Sequence, residues 1–130
     1  MNTLSGAMRI SASGLTAERF RMDVISSNIA NASSMKVGGK DPYRRRDVAL
    51  SGDVDGVKIV GIVEDRKPFR IVNEPGNPNA DSKGDVTYSN VEPITEMVNM
   101  IGASRAYEAN IAAFNSAKGM IKSALQIGKV

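Results

Sequence analysis

Apolar residues recur at intervals of seven near both ends of this 130-residue chain. In the first segment these residues are Met8, Leu15, Met22 and Ile29. In the last segment they are Met100, Tyr107, Phe114 and Ile121. A sustained apolar interval of seven is typical of the seam of a coiled coil or helical bundle. An amphipathic helix on a globular core has a similar pattern, but two such stripes in one chain favour helices that pair with each other.

Small polar residues interrupt the first apolar stripe. The stretch 22–34 reads MDVISSNIANASS, and serine and asparagine weaken helix interiors because their side chains compete for backbone hydrogen bonds. Small side chains also let helix backbones approach closely, and a buried asparagine can fix register in a coiled coil. Both effects favour helices that become stable only when they pack against other helices.

Charge and proline content divide the chain into three segments. Residues 1–35 contain five charged side chains and residues 93–130 contain six, whereas residues 36–92 contain ten of each sign. All five prolines lie between Pro42 and Pro93. The sequence therefore predicts an N-terminal helix and the start of a linker over 1–35, a β-rich insert with extended loops over 36–92, and a C-terminal helix over 93–130.

Local signals refine this mainly α fold with a small β insert. The runs VDGVKIVGIVED (54–65), PFRIVN (68–73) and DVTYS (85–89) predict short strands. The stretch 73–85, NEPGNPNADSKGD, predicts a long loop, and Gly38-Gly39 predicts a flexible turn. Pro93 suits the first turn of the last helix, which Asn90 or Thr95 would cap with Glu96 following.

The composition excludes most catalytic chemistry. The chain has no histidine and no cysteine, so it cannot build a Ser-His-Asp triad, a thiolate nucleophile, a disulfide or an ordinary zinc site by itself. Glu96 and Glu108 are separated by about 18 Å along a helix axis and cannot act as a carboxylate pair. We therefore predict that the protein is not an enzyme and uses no cofactor.

Two motifs resemble binding sites only weakly. Asn77, Asn79 and Asp81 are spaced like calcium ligands, but Ser82 replaces the required glycine and Tyr88 replaces the bidentate glutamate. The basic run YRRRD (43–47) is flanked by acidic residues, so a solvated face or a protein contact is favoured over phosphate binding. The net charge of +3 is also too small to indicate nucleic acid.

The targeting signals are equally sparse. The N-terminus MNTLSGAMRISASGL has no apolar run behind a basic start, so it does not predict a cleaved signal peptide. No segment has the roughly 20 apolar residues of a membrane helix, so we expect no direct membrane insertion. These rules alone predict a soluble, cytoplasmic protein.

Both ends of the chain nevertheless resemble one known family. The stretch SGLTAERFRMDVISSNIANASS is similar to the N-terminal signature of bacterial flagellar axial proteins, which form the rod, hook and hook-associated structures. The stretch EMVNMIGASRAYEANIAAFNSAKGMIKSAL is similar to their C-terminal signature. The length and the run PFRIVNEPGNPNADSKGDVTYSNVEPITEMVNMI resemble the proximal rod members. This chain departs from the family at Ser33 and Ser34, and at Asn77 and Asn79, outside the apolar seams.

The resemblance implies a structural subunit of the basal-body rod, the drive shaft that crosses the periplasm and transmits torque. It implies assembly with copies of itself and with the rod proteins FlgB, FlgF, FlgG and FliE, with no nucleic acid. It also implies unfolded export through the flagellar type III apparatus without a cleaved signal peptide, which replaces the cytoplasmic prediction. The terminal helices would pair as a coiled coil or bundle in the assembled tube.

The predicted assembly interface follows the two apolar stripes and the asparagines beside them. Its residues are Leu4, Met8, Leu15, Met22, Ile25, Asn28, Ile29, Asn31, Met97, Met100, Ile101, Tyr107, Asn110, Ile111, Phe114, Ile121 and Leu125. The competing interpretation is a stand-alone helical hairpin that presents its β insert to a protein or an anionic partner, with Arg44–Arg46 as the contact.

Overall fold

Along the chain, one long helix precedes four strands and a second long helix follows them. In the computed structural model, which describes residues 2–129, the elements are α1 (Asn2–Ala30), β1 (Arg46–Asp53), β2 (Gly56–Glu64), β3 (Arg70–Asn73), β4 (Asp85–Tyr88) and α2 (Pro93–Gly128). Strands β1 and β2 form one two-stranded sheet, and β3 and β4 form another. The prediction of a mainly α fold with a small β insert is confirmed.

The chain forms two compact units, and each takes part of both helices. The first comprises the described residues of Met1–Met22, Val48–Gly61 and Ile101–Val130, and the second comprises Asp23–Asp47 and Ile62–Met100. The division at 35/36 and 92/93 stays a prediction about domains.

The core of the first unit consists of small residues. Ser11 and Ala17 of α1 and Ala103 and Ala117 of α2 are buried. The helices approach closely at Gly14, where an added Cβ would lie 2.8–2.9 Å from the side-chain atoms of Asn110. The small residues of the two helices permit this approach, because a larger side chain at any of these positions would separate the backbones.

The turn between β1 and β2 is fixed to α1 through one hydroxyl. Ser13 Oγ donates to the Ile10 carbonyl at 2.7 Å and accepts the Val57 amide at 3.0 Å. Gly56 lies directly over this hydroxyl with φ of 120°, in the region that favours glycine. Arg9 and Asp55 form an exposed ion pair at 3.8 Å beside it.

The second unit has a larger apolar core. Val24, Ile25 and Ala32 are buried together with Val86 of β4 and Val91. Helix α1 ends at Ala30. The Ser27 carbonyl then accepts both the backbone amide of Asn31 at 3.1 Å and its side-chain amide at 2.8 Å, so Asn31 closes the last turn of the helix twice.

Strands β3 and β4 are antiparallel, with Arg70 opposite Tyr88 and Asn73 opposite Asp85. The segment after α1 extends this sheet along β4: the Lys36 amide donates to the Thr87 carbonyl at 2.8 Å. Gly38 and Gly39 then form a tight turn with φ of 56° and 80°.

The loop between β3 and β4 is ordered by Asp81. Its carboxylate accepts the amides of Lys83 at 2.8 Å and Asp85 at 2.9 Å. These bonds from Asp85 and Lys83 hold the pKa of Asp81 below its usual range. Asn77 Oδ1 likewise accepts the Asn79 amide at 2.9 Å, so these oxygens, which are spaced like calcium ligands, form turns instead.

Two local details differ from the sequence predictions. Strand β1 was not predicted, because RDVALSGD has charged ends and few β-branched residues. Neither Asn90 nor Thr95 caps α2: the Glu96 amide bonds the Glu92 carbonyl at 3.0 Å, which makes Glu92 the N-cap residue.

We predict that Gly56→Ala destabilises the protein by roughly 1–3 kcal/mol, because alanine is strained at this φ and its methyl group would overlap the Ser13 hydroxyl. The matched control is Gly61→Ala in the same strand, where an added Cβ meets nothing within 4 Å. Urea unfolding of the two variants measures the difference. Equal midpoints would contradict the docking of this turn on α1.

Candidate assembly surface and its buried polar support

A single buried asparagine joins α1 to the insert. Asn28 is 0 % exposed, and its amide group uses both its oxygen and its nitrogen. Oδ1 accepts the Tyr43 hydroxyl at 2.8 Å and the Arg46 amide at 3.0 Å. Nδ2 donates to the Arg46 carbonyl at 2.8 Å and to Glu96 Oε2 at 3.4 Å. Asn28 therefore bonds both the amide and the carbonyl of Arg46, as the backbone of a neighbouring strand would. It also bonds Glu96 of α2.

A buried ion pair continues the cluster. Glu96 is also 0 % exposed, and its Oε1 accepts the Nε–H of Arg45. Arg45 Nη1 lies 3.4 Å from Asp65 and 3.7 Å from Asp47. Burial alone would lower the pKa of Arg45, but the hydrogen bond and the charge of Glu96, with the charges of Asp47 and Asp65, raise it above its usual value. The guanidinium therefore remains charged inside the unit.

The loops on either side are bound to the same cluster. Asn90 Oδ1 accepts the Arg45 amide at 2.7 Å, and its Nδ2 donates to the carbonyls of Asp65 and Lys67, both at 3.1 Å. Arg44 donates to the same two carbonyls at 2.9 and 3.0 Å. Its guanidinium also lies 4.1 Å from the centre of the Phe69 ring, within cation–π distance.

The interpretation of YRRRD as a solvated or partner-binding face is therefore wrong for most of its length. Tyr43, Arg44 and Arg45 are half-buried and bond within the unit, and Arg46 is exposed. Because Arg44 and Arg45 already have internal partners, they are poorly placed to contact an anionic surface.

The structure distributes the predicted assembly residues over a range of exposure. Ile25 and Asn28 are buried. The half-buried residues are Leu4, Met8, Leu15, Met22, Ile29, Met100, Tyr107, Asn110, Phe114 and Ile121. The exposed residues are Asn31, Met97, Ile101, Ile111 and Leu125. Asn28 contacts the insert of its own chain, and Asn110 donates to the Ala106 carbonyl at 2.9 Å and lies against Gly14.

Helix α2 leaves many large apolar side chains in water. They are Ile94, Met97, Val98, Ile101, Ile111, Met120, Leu125 and Ile127, from 37 % to 79 % exposed. Meanwhile the buried residues of α2 are Ala103, Ala117 and the charged Glu96. This distribution, with small residues inside and large apolar residues outside, is typical of a chain that completes its core by association.

Sequence reasoning missed the supporting cluster. Tyr43, Arg45, Asn90 and Glu96 were assigned to surface or capping roles, and their convergence on Asn28 depends on pairs that are 15 to 68 positions apart. A usable signal was the glutamate on an otherwise apolar start of α2, because a charge there needs a buried partner.

Neither a membrane span nor a metal cluster is found in the part of the chain that the structure describes. No helix within residues 2–129 is long and apolar enough to cross a bilayer. The same residues contain no group of three or more acidic side chains placed to hold a metal ion.

We predict that Asn28→Ala destabilises the protein by roughly 2 kcal/mol or more, because it leaves the Tyr43 hydroxyl and the Arg46 backbone without their buried partner. The matched control is Asn31→Ala, an exposed asparagine of the following turn, which should change the free energy of unfolding by well under half as much. Urea unfolding monitored by circular dichroism compares the two. Similar losses in both variants would contradict the role of Asn28.

Two family models match the chain at its helices. The model described as "Flagella basal body rod protein" matches residues 8–34, within α1 and the turn after it. The model described as "Flagellar basal body rod FlgEFG protein C-terminal" matches residues 83–127, which include β4 and nearly all of α2.

Curated relatives match over nearly their whole length. The flagellar basal-body rod protein FlgC of Bacillus subtilis is 41% identical, with 95% of this chain and 97% of the relative covered. The protein of the same name from Escherichia coli O6:H1 is 40% identical, with 92% and 94% covered. That of Borreliella burgdorferi is 37% identical, with 95% and 97% covered. The chain therefore belongs to the FlgC family of flagellar basal-body rod proteins, which are structural proteins and not enzymes.

Proposed function

We propose that the chain assembles with copies of itself and with other rod proteins into the drive shaft that crosses the periplasm and transmits motor torque. FlgB, FlgF, FlgG and FliE are the partners that we propose, and the terminal helices would pair as a coiled coil or bundle in the assembled tube. The observation that carries this proposal is the row of large apolar side chains that α2 leaves exposed.

The exposed face of α2 has the chemistry of a subunit interface. Burying an aliphatic side chain that was exposed contributes about 1.5–3 kcal/mol, so several such residues can offset the entropy that a subunit loses on assembly. The same face would otherwise be a cause of aggregation. The small buried residues Ala103 and Ala117 also allow helices to pack at short distance, so neighbouring subunits could approach closely.

We also propose export through the flagellar type III apparatus, without a cleaved signal peptide. The chain contains no cysteine, so it cannot be trapped in disulfides in an oxidising compartment. The modest apolar core supports this proposal too, because a chain that must unfold for export benefits from low stability before assembly.

The stand-alone binding module is not favoured. Family membership assigns the chain to the basal body. The arginines that would have contacted an anionic partner include Arg44 and Arg45, which bond to carbonyls and carboxylates of their own unit.

Deletion of the gene tests the proposed function directly. We expect loss of swimming, with membrane rings present and rod and hook missing from purified basal bodies. A plasmid copy of the gene should restore both. A deletion strain that swims and has intact basal bodies would contradict an early structural role.

We predict that Ile111→Asp and Leu125→Asp abolish rod assembly without unfolding the chain. Each removes about 1.5–3 kcal/mol of apolar burial at an interface and places a charge there, whereas both positions tolerate a polar group in the isolated chain because they are exposed. Tyr107→Glu should have the same effect on assembly, although its half-buried ring makes it a less clean probe.

The measurement is swimming together with the amount of rod in basal bodies. The control is Ser82→Asp, which adds the same charge on the exposed loop between β3 and β4 and should swim normally. Normal swimming of both helix variants would exclude this face of α2 from the interface.

A further inference from the structure

The sulfur of Met35 accepts hydrogen bonds from two asparagine side chains. Asn79 Nδ2 lies 3.3 Å from Met35 Sδ, and Asn77 Nδ2 lies 3.9 Å from it. All three residues belong to the second unit, and Met35 is half-buried. A thioether sulfur is a weak acceptor, so the two amide groups form only weak bonds with it.

The backbone positions both the sulfur and its donors. Met35 forms an antiparallel bridge with Tyr88 of β4. In the loop between β3 and β4, the Asn79 amide donates to Asn77 Oδ1 at 2.9 Å, and the Asn77 amide donates to the Glu74 carbonyl at 2.9 Å. The two side-chain amide groups therefore lie beside the sulfur because turns of the loop fix the residues that carry them.

Oxidation changes this sulfur from a weak acceptor into a strong one. In the reaction with hydrogen peroxide, a sulfur lone pair attacks one peroxide oxygen, an S–O bond forms and the O–O bond breaks. The proton of the transferred hydroxyl goes to the departing hydroxide, which leaves as water, so sulfur loses two electrons and peroxide gains them. The product, methionine sulfoxide, is polar and disrupts its surroundings where no donor is present.

We propose that Met35 is a reversible oxidation site whose sulfoxide oxygen is bound by the amide groups of Asn79 and Asn77. The donors that bond the thioether weakly then bond an oxygen with a partial negative charge, and hydrogen bonds strengthen as the charge on the acceptor increases. Oxidation therefore tightens the contact between the β3–β4 loop and the segment that follows α1. Methionine sulfoxide reductases, which reduce this group, reverse the change.

The oxidation site does not depend on the proposed rod assembly, because its residues lie within one unit of one chain.

The exposed methionines of α2 differ from Met35 in their surroundings. Met97 and Met120 are 53 % and 58 % exposed, so peroxide should reach them at least as readily as Met35. Within residues 2–129, however, no side-chain donor bonds either of those two sulfurs, in contrast to the sulfur of Met35. Their oxidation adds a polar group without a partner, whereas oxidation of Met35 supplies an acceptor to donors that are already in place.

Hydrogen exchange of the purified chain, before and after treatment with hydrogen peroxide, tests the site. Peptide mass spectrometry measures both the conversion of Met35 and the exchange of amides in residues 35–36 and 77–80. We expect exchange there to slow by roughly three- to tenfold on oxidation, the factor that one added hydrogen bond provides. Treatment with methionine sulfoxide reductases should restore the original rates.

Two variants serve as matched controls. Asn79→Asp keeps the shape of this exposed side chain but replaces the donor with a carboxylate that repels the sulfoxide oxygen, so oxidation should then speed exchange in the same segments. Met35→Leu removes the sulfur with little change of volume, so peroxide should leave exchange there unchanged. Each comparison is a ratio of oxidised to untreated protein, so the effect of the substitution on the untreated chain cancels.

The opposite results would overturn the proposal. Faster exchange in the oxidised native chain would mean that the amide groups do not bind the sulfoxide. Slowing of equal size in Asn79→Asp or in Met35→Leu would assign the effect to another group. Failure of Met35 to oxidise while Met97 and Met120 are fully converted would show that peroxide does not reach this sulfur.

Discussion

The buried hydrogen bonds of Asn28 hold the second unit together. Its amide pairs with the backbone of Arg46, accepts the Tyr43 hydroxyl and reaches Glu96 on α2. A buried amide without these partners would cost several kcal/mol, so α1, the insert and α2 can pack here only in the arrangement that satisfies it. Arg45 and Glu96 then add a charged pair whose partners are equally specific. The cluster therefore determines how α1, the insert and α2 are oriented within this unit more than it adds stability.

The first unit follows a different physical principle. Its buried residues are Ser11, Ala17, Gly56, Ala103 and Ala117, which bury little apolar area, while larger aliphatic residues of α2 remain in water. Such a unit gains little free energy from folding alone and much more from association. This balance fits a family of structural rod proteins, whose members act as parts of a larger assembly.

The β insert contributes residues to both units. Its β1–β2 turn is bound to α1 through Ser13, while Tyr43 and Arg45, which precede β1, take part in the polar cluster. The insert therefore contributes contacts to both units. Its strand β2, which is anchored at its turn, also carries the exposed apolar residues Val60, Ile62 and Val63.

The two long helices, the strands β2 to β4 and the loop before β4 could be predicted from the amino-acid sequence, because apolar period, β-branched runs and turn residues act over a few neighbouring positions. The flagellar family was also readable from the two terminal signatures. Strand β1, the N-cap at Glu92 and the internal roles of Arg44, Arg45 and Glu96 became visible only in the folded chain. Each of these depends on a partner far along the chain, and local sequence does not specify which distant groups will be buried together.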